Sequence, residues 1–215
     1  MRINFLDEKY DGLEDCNISL VERILDEYDC SLYDLINLCG GIPGEYIDNF
    51  SLIATPNTSC SIDITIKTDQ YWVNRGINFE SKYIFNNNMR VYDEGNFLGT
   101  QLFLNQITSA KGKNFNMLRV FAAGMPGQTL YTGYYKWSRV GYFLDKDSQA
   151  EFKQWAMIRG IKEKSLHEYV KDDSNYVRWQ FDGFYWSGYF QLNDDSSNMQ
   201  YLREYLNRKG IEYKI

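Results

Sequence analysis

Ile62, Ile64 and Ile66 take turns with Asp63, Thr65 and Lys67. Side chains on an extended strand point to opposite faces in turn, so this run predicts a strand with one face in a core. Phe79, Ser81, Tyr83 and Phe85 alternate in the same way. Asn86-Asn87-Asn88 then reads as a turn, with a short strand resuming at Met89–Tyr92. Residues 50–92 are therefore read as strands.

The period changes after residue 92. Leu98, Leu102, Phe103, Gln106 and Ile107 fall on one face of a helix starting near Gly99. Met117–Ala123 is an apolar strand, GMPGQ a loop, 131–140 an aromatic helix, and GYFLD at 141–145 a further strand. Strands followed by helix, strand, helix, strand suit a mixed sheet covered by helices.

The two ends of the chain are predicted to be mostly helical. Ser19 is placed as the cap of a helix carrying Val21, Ile24, Leu25 and Tyr28, with Glu22 completing a capping box. Ser31 caps a second helix with Leu32, Leu35, Ile36 and Leu38 inward, stopped by Gly40-Gly41 and Pro43. Helices are expected at Gln149–Arg159, with Phe152, Trp155 and Ala156, and at Asn198–Arg208, with Met199, Leu202, Tyr205 and Leu206 inward. Between them Trp179, Phe181, Phe184, Tyr185, Trp186, Tyr189 and Phe190 read as core plus one exposed patch. No Gly/Ser/Pro-rich linker is visible. The expected organisation is a core with N-terminal helices over 1–145 and an extension over 146–215 packed on it as one compact unit.

Bulk properties narrow the function classes. The net charge is −6, with no Lys/Arg run, which argues against nucleic acid as a partner. No apolar run reaches the roughly 20 residues of a membrane-spanning helix, and no secretory leader is visible. The cytoplasm, a virion being the other setting considered, is the expected compartment. The four cysteines lack CxxC spacing and read as free thiols. The single histidine, His167, serves a nucleophile only if it folds back onto one. Asp/Glu spacing supports no hydrolase. Eighteen tyrosines and abundant asparagine fit an AT-rich genome, as in some bacteria or their phages.

EGNFLGTQLF (94–103), MLRVFAAG (117–124) and YYKWSRVGYF (134–143) come in an order and spacing that resemble the acyl-CoA-binding core of GNAT-type N-acetyltransferases over residues 77–144. The resemblance implies an α/β (α+β) fold with a mixed, mostly antiparallel central sheet flanked by helices. Here a helical, aromatic C-terminal extension would follow it. It also implies that the turn at Gly95, Asn96, Phe97, Leu98, Gly99 and Thr100 receives the coenzyme A pyrophosphate. The physics behind that role is general: helix N-termini offer N–H groups and partial positive charge, and glycine lets backbone approach phosphate.

The family pattern R/Q-x-x-G-x-G/A is altered here. Glu94 stands at the Arg/Gln position and Phe97 at the middle glycine, with Asp93 adjacent. Carboxylates repel pyrophosphate. Trp137 stands where many members carry the tyrosine acid, leaving Tyr134 or Tyr135 as substitutes. Glu80, on the strand before the turn, is the candidate base acting through water. Two expectations follow. The first is a scaffold without acetyl transfer and without a cofactor, binding a protein partner or a second copy, as a virion component or a phage anti-defence protein. The second is an acetyl-CoA-dependent N-acetyltransferase acting on an amine.

Overall fold

The computed structural model describes residues 3–4, 18–54, 60–92, 97–128 and 132–213. The chain divides into two compact units, Met1–Asn116 and Met117–Lys214. The division falls inside the stretch 77–144, where the sequence suggested a change only after residue 145.

The first unit begins with strand β1 (Ile3–Asn4), helix α1 (Ile18–Glu27) and helix α2 (Leu32–Leu38). Strands β2 (Tyr46–Ile47), β3 (Asn49–Ala54), β4 (Ser61–Lys67), β5 (Tyr71–Asn78) and β6 (Tyr83–Val91) follow, and helix α3 (Leu98–Gly112) closes it. β1 pairs with β2, and β3 to β6 form an antiparallel meander. Ile62, Ile64, Ile66, Val73, Ile77 and Ile84 are fully buried on one face of that meander. Burying each such side chain contributes about 1.5–3 kcal/mol before chain entropy is counted. Leu98, Leu102, Phe103, Gln106 and Ile107 are all buried on α3, as their spacing predicts.

Three local expectations change. α1 already runs from Ile18, so Ser19 lies inside its first turn and is not the cap. Asn86, Asn87 and Asn88 are not a turn but lie within β6, with a bulge opposite Asn74/Arg75. The β5–β6 turn falls earlier, at residues 79–82, where Lys82 adopts φ 53°. That turn resets the alternation. Ile84 and Asn86 are buried, and Tyr83 and Phe85 lie on the half-exposed face. The Ser31 cap stands as expected: its hydroxyl accepts from the Asp34 N–H, and the Asp34 carboxylate accepts from the Ser31 N–H.

The second unit contains β7 (Met117–Ala122), a short helix α4 (Gly133–Lys136), a 3-10 turn (Trp137–Arg139) and β8 (Phe143–Leu144). Helices α5 (Lys146–Ile158), α6 (Leu166–Tyr169) and α7 (Asp173–Asp182) precede β9 (Trp186–Gln191) and α8 (Ser197–Lys209). β9 is central, pairing antiparallel with β7 on one side and β8 on the other. The helix predicted over 131–140 shrinks to one α-turn plus the 3-10 turn. α7 was not foreseen. Trp155 and Trp179 meet edge-on at 5.0 Å, Phe152 packs on both, and Tyr142 meets Phe190 at 5.7 Å. Phe181 and Tyr185 are exposed, while Trp179, Trp186 and Phe190 are buried.

The fold is thus α+β, with antiparallel strand pairing inside each unit and eight α-helices among the described residues. None of these helices is long and apolar enough to cross a membrane. Cys30, Cys39 and Cys60 are free thiols, and Cys16 lies outside the described residues.

Candidate functional site

The N-terminus of α3 is the place where the resemblance puts a pyrophosphate. Asp93, Glu94, Gly95 and Asn96 lie outside the described residues. Phe97 is the N-cap residue, held in the left-handed region at φ 54° and 52% exposed. That conformation is strained for any residue with a Cβ. The first turn closes when the Gln101 N–H donates to the Phe97 carbonyl at 2.9 Å. Leu98, Gly99 and Thr100 supply N–H groups that precede that bond. A Cβ on Gly99 would sit 3.5 Å from Met89 Cε and 3.6 Å from Val91 Cγ2, an ordinary contact. Gly99 therefore faces the end of β6 and is not forced to be glycine by a close approach of the chain.

Glu80 is not on a strand. It is exposed in the turn between β5 and β6. α3 begins beyond the other end of β6, a nine-residue strand. Such a strand runs roughly 25–30 Å. The proposed base and the proposed phosphate site are at opposite ends of β6, too far apart for transfer through one water.

Tyr134 and Tyr135 belong to the second unit. Tyr134 is 2% exposed, and its hydroxyl donates to the Gln180 carbonyl on α7. Its own carbonyl accepts from Trp179 Nε1 at 2.9 Å and Trp186 Nε1 at 2.7 Å. Burial raises the pKa of its phenol, and Tyr135 adds to that. Both polar ends of Tyr134 thus hold α4 to α7 and β9. Tyr135 is half-buried, with its ring 5.2 Å from Tyr134 and 6.0 Å from Tyr176. The Arg139 guanidinium lies 4.0 Å over the Tyr176 ring and pairs with Asp173. Burial pushes the Tyr176 phenol up to about 12, with Arg139 pulling the other way. Trp137 packs edge-on to Tyr142 at 5.4 Å.

Among the described residues no group of three or more His, Cys, Asp or Glu is placed to hold a metal ion. His167 does fold near a hydroxyl: Ser165 Oγ lies 3.1 Å from His167 Nε2. The imidazole is stacked on Phe143 at 4.2 Å and meets the Tyr201 ring at 4.6 Å. Glu168, which could have oriented it, instead accepts from the Lys164 N–H. Aromatic rings on two sides make His167 a packing residue.

Burial lowers the His167 pKa, with Lys171 also lowering it and Glu168 opposing. The neutral ring is then the folded form, while the unfolded chain takes up a proton near pH 6.5. Its contribution to stability is present above pH 6.5 and is lost as pH falls through the depressed folded value. Thermal unfolding of wild type and His167→Phe between pH 7.5 and pH 5 should therefore converge or cross in favour of the variant on acidification. Parallel curves would refute this.

No protein-family model, curated protein or solved structure matches the chain.

Proposed function

We propose that this protein works by binding, on a scaffold that resembles the acyl-CoA transferases without carrying out acyl transfer. The observation that carries this reading is Tyr134, whose hydroxyl is engaged by the Gln180 carbonyl inside a tryptophan-lined core. An acid must face the departing thiolate; this one faces a backbone carbonyl. The position of Glu80 at the far end of β6 supports the same reading. A binding role suits a virion component or an anti-defence protein, and a protein partner or second copy is compatible with the exposed aromatic side chains. Calorimetric titration with acetyl-CoA and coenzyme A should show no saturable heat at millimolar ligand. Micromolar binding would sink the reading.

The second reading, an acetyl-CoA-dependent N-acetyltransferase, is favoured by one observation: α3 is a 15-residue helix whose first turn offers the N–H groups of Leu98, Gly99 and Thr100. Under it, Gly99→Glu abolishes coenzyme A binding while the fold is kept.

A further inference from the structure

We propose that the outer face of α7 is the contact through which two copies of this chain associate, antiparallel about a two-fold axis. This names the partner for the binding reading and rests on it. The inner side of α7 is fixed by Trp179, which is buried against Phe152 and Trp155. The outer side carries apolar residues where a helix facing only water is ordinarily polar. Val177 and Phe181 are four positions apart, hence neighbours on one face, and both are exposed, Phe181 by 69%. Ile158, 70% exposed, extends this surface from α5. It follows Trp155 by three positions, and Trp155 Nε1 donates to the Asp182 carbonyl at 3.0 Å, which ties the end of α5 to the end of α7.

The charges beside this ridge select a second copy. Arg178 and Asp182 each follow an apolar residue by one position, so they form a parallel row on one flank, one cation and one anion. Both are exposed, and among the described residues neither side chain makes an ion pair or hydrogen bond. They do not pair with each other, the cation-first order being the weaker one along a helix. Asp182 is also the last residue of α7, whose last turn carries no basic side chain. A carboxylate there stands against the negative end of the helix dipole. Arg159 on α5 lies over the Trp155 ring at 4.6 Å and makes no ion pair with it. Asp182 thus lacks the cation that its place calls for.

An antiparallel second copy supplies that cation. A two-fold axis perpendicular to the paired helices reverses their direction and keeps each flank on its own side. Arg178 of one copy then meets Asp182 of the other, and the reverse, so each cation–anion contact is made twice. The same operation brings Val177 and Phe181 over Phe181 and Val177 of the other copy. A parallel pairing would set like charges together. A stable dimer buries about 800 Å² on each copy, more than three apolar side chains cover, so the association is weak, with Kd roughly 10–100 µM.

The test is sedimentation equilibrium of the full chain from about 5 to 500 µM, a range that brackets such a Kd, with circular dichroism to establish that each variant folds. Wild type should show a reversible monomer–dimer equilibrium. Phe181→Ser should weaken it roughly tenfold or more. Arg178→Asp and Asp182→Arg should each weaken it roughly tenfold, because the symmetry turns two attractions into two repulsions. The double variant R178D/D182R should recover the wild-type Kd, which a loss of folding or of unrelated contacts would not produce. A chain that stays monomeric throughout overturns the proposal and leaves this face to a different partner. A dimer indifferent to these variants, or single variants that the double does not rescue, overturns it too. Monomeric protein without acetyl-CoA binding refutes this inference alone. Acetyl-CoA binding would sink the broader binding reading and leave sedimentation to decide the interface on its own.

Discussion

Gly141→Ala is expected to cost the second unit about 4 kcal/mol, roughly 15 °C or more in Tm. Gly141 sits at φ +96°, a conformation that L side chains rarely adopt. A Cβ there would fall 2.6 Å from the Asn198 carbonyl oxygen and 3.0 Å from Phe190 Cε2. The first is backbone near the start of α8, which has little freedom to withdraw. Asn198 is 1% exposed and its Nδ2 donates to the Gly141 carbonyl at 2.8 Å and to the Tyr189 carbonyl at 3.1 Å. Displacing Asn198 therefore disturbs two buried hydrogen bonds as well. Gly210→Ala is the control: φ is +65° there, but nothing lies within 4 Å of the added carbon. That variant should lose only the conformational cost, about 1 kcal/mol. Equal losses in the two variants would mean that α8 does not pack closely at residue 141. In the resemblance this glycine marks a strand entry beside catalytic aromatics; the structure gives it a packing role.

Most elements were legible because their residues respond to local rules. The α3 stripe of Leu98, Leu102, Phe103, Gln106 and Ile107 repeats at helical spacing, and all five side chains are buried. Ser31 and Asp34 form the capping box that their spacing implies. The triple asparagine failed for a different reason. Asparagine favours turns because it bonds its own backbone, but here Asn86 bonds Gln106 and Asn87 bonds Asn74. Those partners lie 20 and 13 positions away, and no local rule contains them. Phe79, Ser81, Tyr83 and Phe85 do not form one alternating strand, because the turn at 79–82 breaks the count of two and puts Tyr83 and Phe85 on the half-exposed face. α7 was missed because its outer face carries Val177 and Phe181, both exposed, which blurs the stripe of an amphipathic helix. The candidate site suffered most. Tyr134 was found as a tyrosine near a family position, but only the fold shows its hydroxyl aimed at Gln180.

The same asparagines make Gln106 the second large effect. Gln106 is 1% exposed in the core of the first unit. It accepts from Asn86 Nδ2 at 3.1 Å, and its own Nε2 donates to Asn86 Oδ1 at 2.9 Å and to the Leu38 carbonyl at 3.1 Å. One side chain thus joins β6, α3 and the end of α2. Gln106→Leu keeps the apolar stem and removes all three bonds. It also takes from Asn86 the two bonds exchanged with it and from the Leu38 carbonyl a donor. Losing hydrogen bonds around buried polar groups costs about 1–3 kcal/mol per group, so the expected loss is about 3 kcal/mol. Asn86→Leu alone should cost a similar amount. The double variant replaces both amides by apolar groups and should be less damaging than the sum, with a coupling of about 1–2 kcal/mol. Urea unfolding of the four proteins measures this directly. Strict additivity would mean that the two amides do not act as a pair, and that what holds α2 and α3 on the meander is the aliphatic core alone.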